Sequence, residues 1–230
     1  MKTIGLIGGM SWESTVNYYK HINEIVKQQL GGFHSAKCIL YSVDFQEIEE
    51  CQSRGDWDKS GEILAAAALS LEQAGADYIV ICTNTMHKVI DIIQRDITIP
   101  ILHIAEATAE ALLKHNIKKV ALLGTKYTMQ QDFYKSKLTE AALEVIIPEA
   151  DDIEMINFTI YQELCLGIIS EKSRKEFLRI IDSLALLGAE GVILGCTEIG
   201  LLVRQEDTFV PLFDTTLIHA TQAAMIAIVG

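Results

Sequence analysis

GADYIVICTNT, residues 75–85, runs from a glycine through an apolar stretch, Tyr78 to Ile81, to a thiol and then a polar turn. A short apolar run bounded by turn residues is the pattern of a strand buried on both faces of a parallel sheet. The stretch has an echo in GAEGVILGCTE, residues 188–198; laying Gly75 on Gly188 sets an offset of 113 residues. A second pair, KTIGLIGGMSWESTVNYYK from Lys2 and KKVALLGTKYTMQQDFYKS from Lys118, aligns at an offset of 116. Lys2, Leu6, Gly8 and Tyr18 then meet Lys118, Leu122, Gly124 and Tyr134. Strand, glycine turn, helix, and later Gly-Ala-acid, strand, Cys/Thr turn recur in one order, which implies two similar α/β lobes.

Between these landmarks strands alternate with helices. Ile4–Ile7, Cys38–Val43, Tyr78–Ile81, a strand starting at Ile99, Val120–Leu123, Glu144–Ile147 and Val192–Leu194 read as strands. Helices are expected over Trp12–Leu30, Ser60–Gln73, Thr85–Gln94, Glu106–Lys114, Met129–Ala142, Ser173–Leu187 and from about Leu217 onward. The alternation predicts an α/β fold of two pseudo-symmetric lobes, each a mainly parallel sheet flanked by helices, with the active site in the cleft between them. Residues 1–100 plus 215–230 form the expected first lobe and 101–214 the second. Three prolines and no low-complexity tract leave no floppy linker between them.

Composition narrows the function. With 230 residues, half of them hydrophobic, the chain can bury a sizeable core. A net charge of −12 argues against a nucleic-acid binder, since no Lys/Arg stripe is available to neutralise phosphates. No apolar run reaches the roughly 18 residues of a membrane helix. MKTIGLIGGMSW lacks a full secretory h-region and cleavage site. Five cysteines without repeated spacing argue against a disulfide framework and fit a reducing cytoplasm. No cysteine/histidine spacing resembles a zinc site.

The overlay decides which residue near position 82 matters. Gly188 plus eight is Cys196 and Gly75 plus eight is Thr83, so Cys196 matches Thr83 and not the more obvious Cys82. Neighbours on a strand point to opposite faces, which sends Cys82 to the helix layer as a small hydrophobe. Ligands of open parallel sheets sit beyond the carboxyl ends of the strands. Four such ends are marked: GGMSW at 8–12, CTNT at 82–85, GTKYT at 124–128 and GCTE at 195–198. Asn84, Thr85, Thr197 and nearby amides at helix N-termini are suited to an α-carboxylate, or else they only cap helices. The same field is expected to make Cys196 more acidic than a free cysteine.

Together, GLIGGMSWEST, CTNTMH, GTKYTM and GVILGCTE resemble the aspartate/glutamate racemase family across nearly the whole chain. GLIGG does not follow the dinucleotide GxGxxG pattern. The resemblance implies racemisation without a cofactor: two cysteines, one per lobe, flank the α-carbon of an amino-acid substrate, one removing the α-proton and the other returning a proton to the opposite face. It also implies a cleft lined by Met10, Ser11 and Trp12, a ligand-side turn of Thr125, Lys126, Tyr127 and Thr128, and a homodimer. Ser11 and Thr128 read equally as helix caps, and Trp12 as packing.

The chain departs from that family at Thr83, which stands where the first-lobe cysteine belongs. An alcohol is too weak an acid to supply a base near neutral pH. Cys196 keeps the second-lobe position, which by resemblance serves the L-enantiomer. A slow, L-preferring racemase is the expectation, with Cys196 as base and Thr83 as a poor opposite partner. A lysine of some aspartate-acting members is replaced by Cys165 within IYQELCLG, residues 160–167. The distal-carboxylate anchor therefore passes to Gln52 and Arg54, in the loop after the second strand, or to Lys126. Glu198 orients the substrate ammonium or serves the helix dipole. His87 assists proton movement or is a structural histidine. Alternatives are a one-cysteine carbanion enzyme (hydantoin racemase, arylmalonate decarboxylase or maleate isomerase) and an amino-acid-binding protein that has lost catalysis.

Overall fold

A computed structural model describes residues 1–229. Two compact units divide them: Met1–Ile104 with the chain from His219, and Ala105–Ile218. In the first, β1 (Ile4–Gly8), α1 (Trp12–Leu30), β2 (Cys38–Ser42), α2 (Phe45–Arg54), α3 (Trp57–Gln73) and β3 (Tyr78–Ile81) follow one another. A 3-10 turn, Thr85–Val89, then leads into α4 (Ile90–Gln94) and β4 (Ile101–Leu102). Helix α5 (Ile104–Lys114) starts on the last residue of the first unit and carries the chain into the second, which continues through β5 (Lys119–Gly124), α6 (Lys126–Gln130), α7 (Asp132–Glu140), β6 (Glu144–Ile146), α8 (Ala150–Gln162) and α9 (Glu171–Leu186). It ends with β7 (Gly191–Gly195), α10 (Ile199–Leu202), β8 (Leu212–Asp214) and the start of α11 (Thr215–Val229).

The two sheets are parallel, four-stranded and wired alike, in the orders β2-β1-β3-β4 and β6-β5-β7-β8. Their registers agree as well. Ile4 pairs with Tyr78 in the first sheet, and Val120 pairs with Gly191 in the second. These are the partners that offsets of 116 and 113 require, so the internal repeat is a repeat of topology and pairing.

In the first unit the apolar strand pattern sorts onto two faces. Ile7, Ile79 and Ile81 pack with Ile48, Leu64, Ala67, Leu71 and Ile93 from α2, α3 and α4. Ile4, Leu6, Tyr78, Val80 and Cys82 pack with Tyr18, Ile22 and Val26 of α1 and Ala220, Ala223, Ala224 and Ala227 of α11. The four alanines let α11 lie close to the strands, and each large apolar side chain buried here contributes roughly 1.5–3 kcal/mol. In the second unit Val120 to Leu123 and Val192 to Leu194 are buried, as are Ile153, Ile156 and Ile160 of α8 and Phe177, Ile180 and Ile181 of α9.

Several boundaries differ from the sequence reading, for physical reasons. The segment holding Gln52 and Arg54 is not a loop but α2. Asp44 caps it by accepting from the Gln46 amide at 3.1 Å, and Gly55 ends it in the left-handed region. The stretch from Thr85 to Gln94 opens with 3-10 geometry, leaving only Ile90–Gln94 as α-helix. The helix expected over Met129–Ala142 is broken by Gln131, which is extended at φ −88 and ψ 158 and separates α6 from α7. Among the described residues no helix is long and apolar enough to cross a membrane.

Candidate active site

In the first unit, β1 delivers the chain to Gly9, whose φ of +92° suits glycine and few other residues. The Gly9 amide donates to Thr15 Oγ1 at 2.8 Å, and Thr15 Oγ1 donates to the Ser11 carbonyl at 2.9 Å. Ser11 caps α1 by accepting from the Ser14 amide. Met10 and Ser11 are buried, whereas Trp12 is 65% exposed. Beside it the chain leaves β3 through Cys82 and Thr83. Cys82 is fully buried among the α1 and α11 side chains, and burial pushes its thiol far up. Thr83 is half-buried, and its amide donates to the Ile81 carbonyl at 2.9 Å. Asn84, Thr85 and His87 follow, all buried.

The second unit repeats the plan. Gly124 and Gly195, at the ends of β5 and β7, approach so closely that a Cβ on Gly124 would fall 2.8 Å from the Gly195 carbonyl oxygen. Thr125 caps α6, accepting from the Thr128 amide at 3.3 Å while the two hydroxyls meet at 3.2 Å. Lys126 and Tyr127 are half-buried on the same turn. The Lys126 amide donates to Asn157 Oδ1 at 3.0 Å, so α8 steadies the turn. Neither Asn157 nor α8 stood out in the sequence, because an apolar run with acidic residues ahead of it carries no distinctive motif.

Cys196, Thr197 and Glu198 form the turn after β7, and all three are buried. Cys196 Sγ donates to Glu198 Oε2 at 3.0 Å, and Thr197 Oγ1 donates to the same oxygen at 2.7 Å. The expectation of an acidic Cys196 is corrected here. Burial, then the charges of Glu198 and Cys165 and the Glu198 hydrogen bond, raise the thiol well above the ordinary cysteine value, against a smaller downward pull from the Glu198 backbone. The helix that was to supply a stabilising field, α10, is only four residues long, too short for much of a dipole. Cys165 sits on the 3-10 turn Leu164–Leu166, which packs on α10.

The remaining candidates lie elsewhere. Gln52 is buried in the first unit's core, its amide donating to Met86 Sδ at 3.1 Å. Arg54 is largely exposed at the end of α2 and pairs with Glu50 at 3.3 Å. Among the described residues no group of three or more His, Cys, Asp or Glu side chains could hold a metal ion.

The Asp/Glu/Hydantoin racemase family model matches residues 7–223. The chain belongs to this family. It is 57% identical to a candidate Asp/Glu racemase from Yersinia pestis, covering 99% of this chain and 100% of that one with a TM-score of 0.92. An aspartate racemase homologue from Pyrococcus horikoshii is 40% identical over 99% of each chain, with a TM-score of 0.85. The broad specificity amino-acid racemase RacX of Bacillus subtilis is 28% identical over 146 residues, which is 62% of this chain and 63% of that protein, under two thirds of its length.

Proposed function

We propose that the protein interconverts the L- and D-forms of aspartate or glutamate without a cofactor, Cys196 working on the L-enantiomer and Thr83 serving as the weak partner on the other face of the α-carbon. One observation carries this reading. A buried thiol is hydrogen-bonded to a carboxylate at 3.0 Å on the turn after β7, while the equivalent turn after β3 presents an alcohol.

Cys196 rests as a thiol. An arriving substrate brings an ammonium group, whose charge offsets that of Glu198 and removes one cause of the raised thiol pKa. The Sγ proton then passes to Glu198, and the thiolate takes the α-proton of the L-amino acid. The electron pair left on the α-carbon spreads into the α-carboxylate, held by turn amides and by Asn84, Thr85 and Thr197. A proton returned to the opposite face, from the Thr83 hydroxyl or a water it holds, gives the D-amino acid; the proton that Glu198 then gives up to solvent neutralises the alkoxide or hydroxide left behind, and Cys196, Glu198 and Thr83 regain their starting states. That return is slow because an alcohol yields its proton poorly. Lys126, half-buried on the α6 turn, takes the distal carboxylate.

Chiral chromatography of L- and D-aspartate and glutamate incubated with the protein tests this reading. The expected result is slow racemisation of at least one pair, lowered by about 10²–10⁴ in Cys196→Ala, the usual contribution of a positioned acid–base group. Undiminished racemisation by that variant would overturn it.

A further inference from the structure

We propose that His87 is a positioning residue: its neutral imidazole, protonated at Nδ1, ties the Thr83 carbonyl to the Ile104 amide and so fixes the turn that presents the Thr83 hydroxyl. This rests on the role given to Thr83 above.

The hydrogen bonds determine the tautomer. Ile104 N–H points at His87 Nε2 at 3.2 Å, and an amide can only donate, so Nε2 carries no proton. Nδ1 lies 2.9 Å from the Thr83 carbonyl oxygen, which can only accept, so Nδ1 carries it. Both ring nitrogens are thus spoken for. The ring also faces His103 and His219, at centroid distances of 4.8 and 5.8 Å. His219 is fixed the opposite way round: its Nε2–H donates to the Leu102 carbonyl at 3.0 Å, and its Nδ1 accepts from the Tyr18 hydroxyl at 2.9 Å. Burial, then the neighbouring His103, push His87 down to about 3, against the upward pull of the Thr83, Leu102 and Asn84 backbone. Burial and His87 push His219 down to about 3 as well, against the Leu102 carbonyl. A ring of this kind does not exchange protons near neutral pH; it holds geometry. Its place in the chain adds to the argument. Ile104 is the last residue before the chain leaves the first unit and His219 the first on its return. The network therefore joins the Thr83 turn to both crossings.

Two substitutions separate the bonds. In His87→Asn the side-chain amide N–H replaces Nδ1–H and keeps the Thr83 bond, while the Ile104 bond is lost. In His87→Gln the amide oxygen stands where Nε2 was and keeps the Ile104 bond, while the Thr83 bond is lost. With L-aspartate in heavy water, α-deuteration reports proton removal at Cys196, and D-aspartate formed per deuteration reports proton return at the Thr83 side. That ratio is expected to fall about fivefold or more in His87→Gln, the weight of one buried hydrogen bond, and to stay near the wild-type value in His87→Asn. Equal ratios in the two variants would overturn the proposal. Should the wild-type protein deuterate nothing, the racemase reading fails, and nitrogen NMR decides the positioning claim separately. The expected signature is an Nδ1–H tautomer at His87, unchanged between about pH 5 and about pH 8, with the Thr83 carbonyl carbon shift moved in His87→Gln and kept in His87→Asn. An Nε2–H tautomer, titration in that range, or identical Thr83 shifts in the two variants would refute it.

Discussion

In the proposed reaction, Cys196 and Glu198 set the chemistry at the scale of single residues. A carboxylate 3.0 Å from a buried thiol both suppresses the thiolate and offers a place for its proton. Glu198→Gln separates these effects. Without the negative charge the thiol becomes more acidic though still buried, so neutral-pH alkylation by iodoacetamide is expected to accelerate, about tenfold for each unit by which the pKa falls. Racemisation is expected to slow in the same variant, because the proton acceptor is gone. Faster alkylation together with faster racemisation would show that Glu198 only restrains the thiol. Thr83→Cys is the complementary change: activity on the D-enantiomer is expected to rise by about tenfold or more, as a usable acid–base group replaces an alcohol. Equal loss in both directions would argue against the scheme. Overlaying residues 75–85 on 188–198 was enough to place Thr83 and Cys196 on equivalent turns, after β3 and β7. The raised Cys196 pKa was not legible there, because the length of the following helix and the aim of the Glu198 side chain are matters of tertiary packing.

At the scale of elements, the site depends on turns built by close strand ends. A Cβ at Gly195 would fall 2.7 Å from the Leu123 carbonyl oxygen, which backbone cannot yield cheaply. Gly195→Ala is expected to cost about 1–3 kcal/mol, as overpacking does, and to lower Tm by roughly 2–10 °C. It should also impair turnover, since Cys196 is the next residue. An unchanged melting curve would contradict the close approach. Strands β1, β3, β5 and β7 were easy to read because each is a largely apolar run that ends in Gly or runs into a Cys/Thr turn. Helix α2 was harder: Gln52 occupies an inward position where an apolar residue would mark the helix period, and it is satisfied by Met86 Sδ. Strand β8, three residues long and beginning directly after Pro211, is too short to show alternation.

For the whole molecule, two sheets with the same strand order and register follow from a repeat visible in the sequence as matched glycines and Cys/Thr turns. The proposal extends to a homodimer in the cytoplasm, for which sedimentation at micromolar concentration is the check on the dimer. The buried histidines make global stability depend on pH. His87 and His219 have folded-state pKa values pushed down to about 3, below the unfolded value near 6.5. Their contribution is complete above about pH 6.5 and is lost as pH falls from there towards 3, because the unfolded chain takes up protons first. Urea midpoints are expected to fall more steeply between about pH 7 and about pH 4.5 in the wild-type protein than in His219→Asn. Parallel slopes would mean that the histidine is not held neutral.

Asymmetry between the two turns is the central claim, and α-proton exchange in heavy water measures it most directly. With separate L- and D-aspartate, and L- and D-glutamate, the expected result is rapid deuteration of the L-enantiomer, much slower deuteration of the D-enantiomer, and loss of the L-signal in Cys196→Ala. Equal rates on both enantiomers, or L-exchange that survives removal of the Cys196 sulfur, would contradict it.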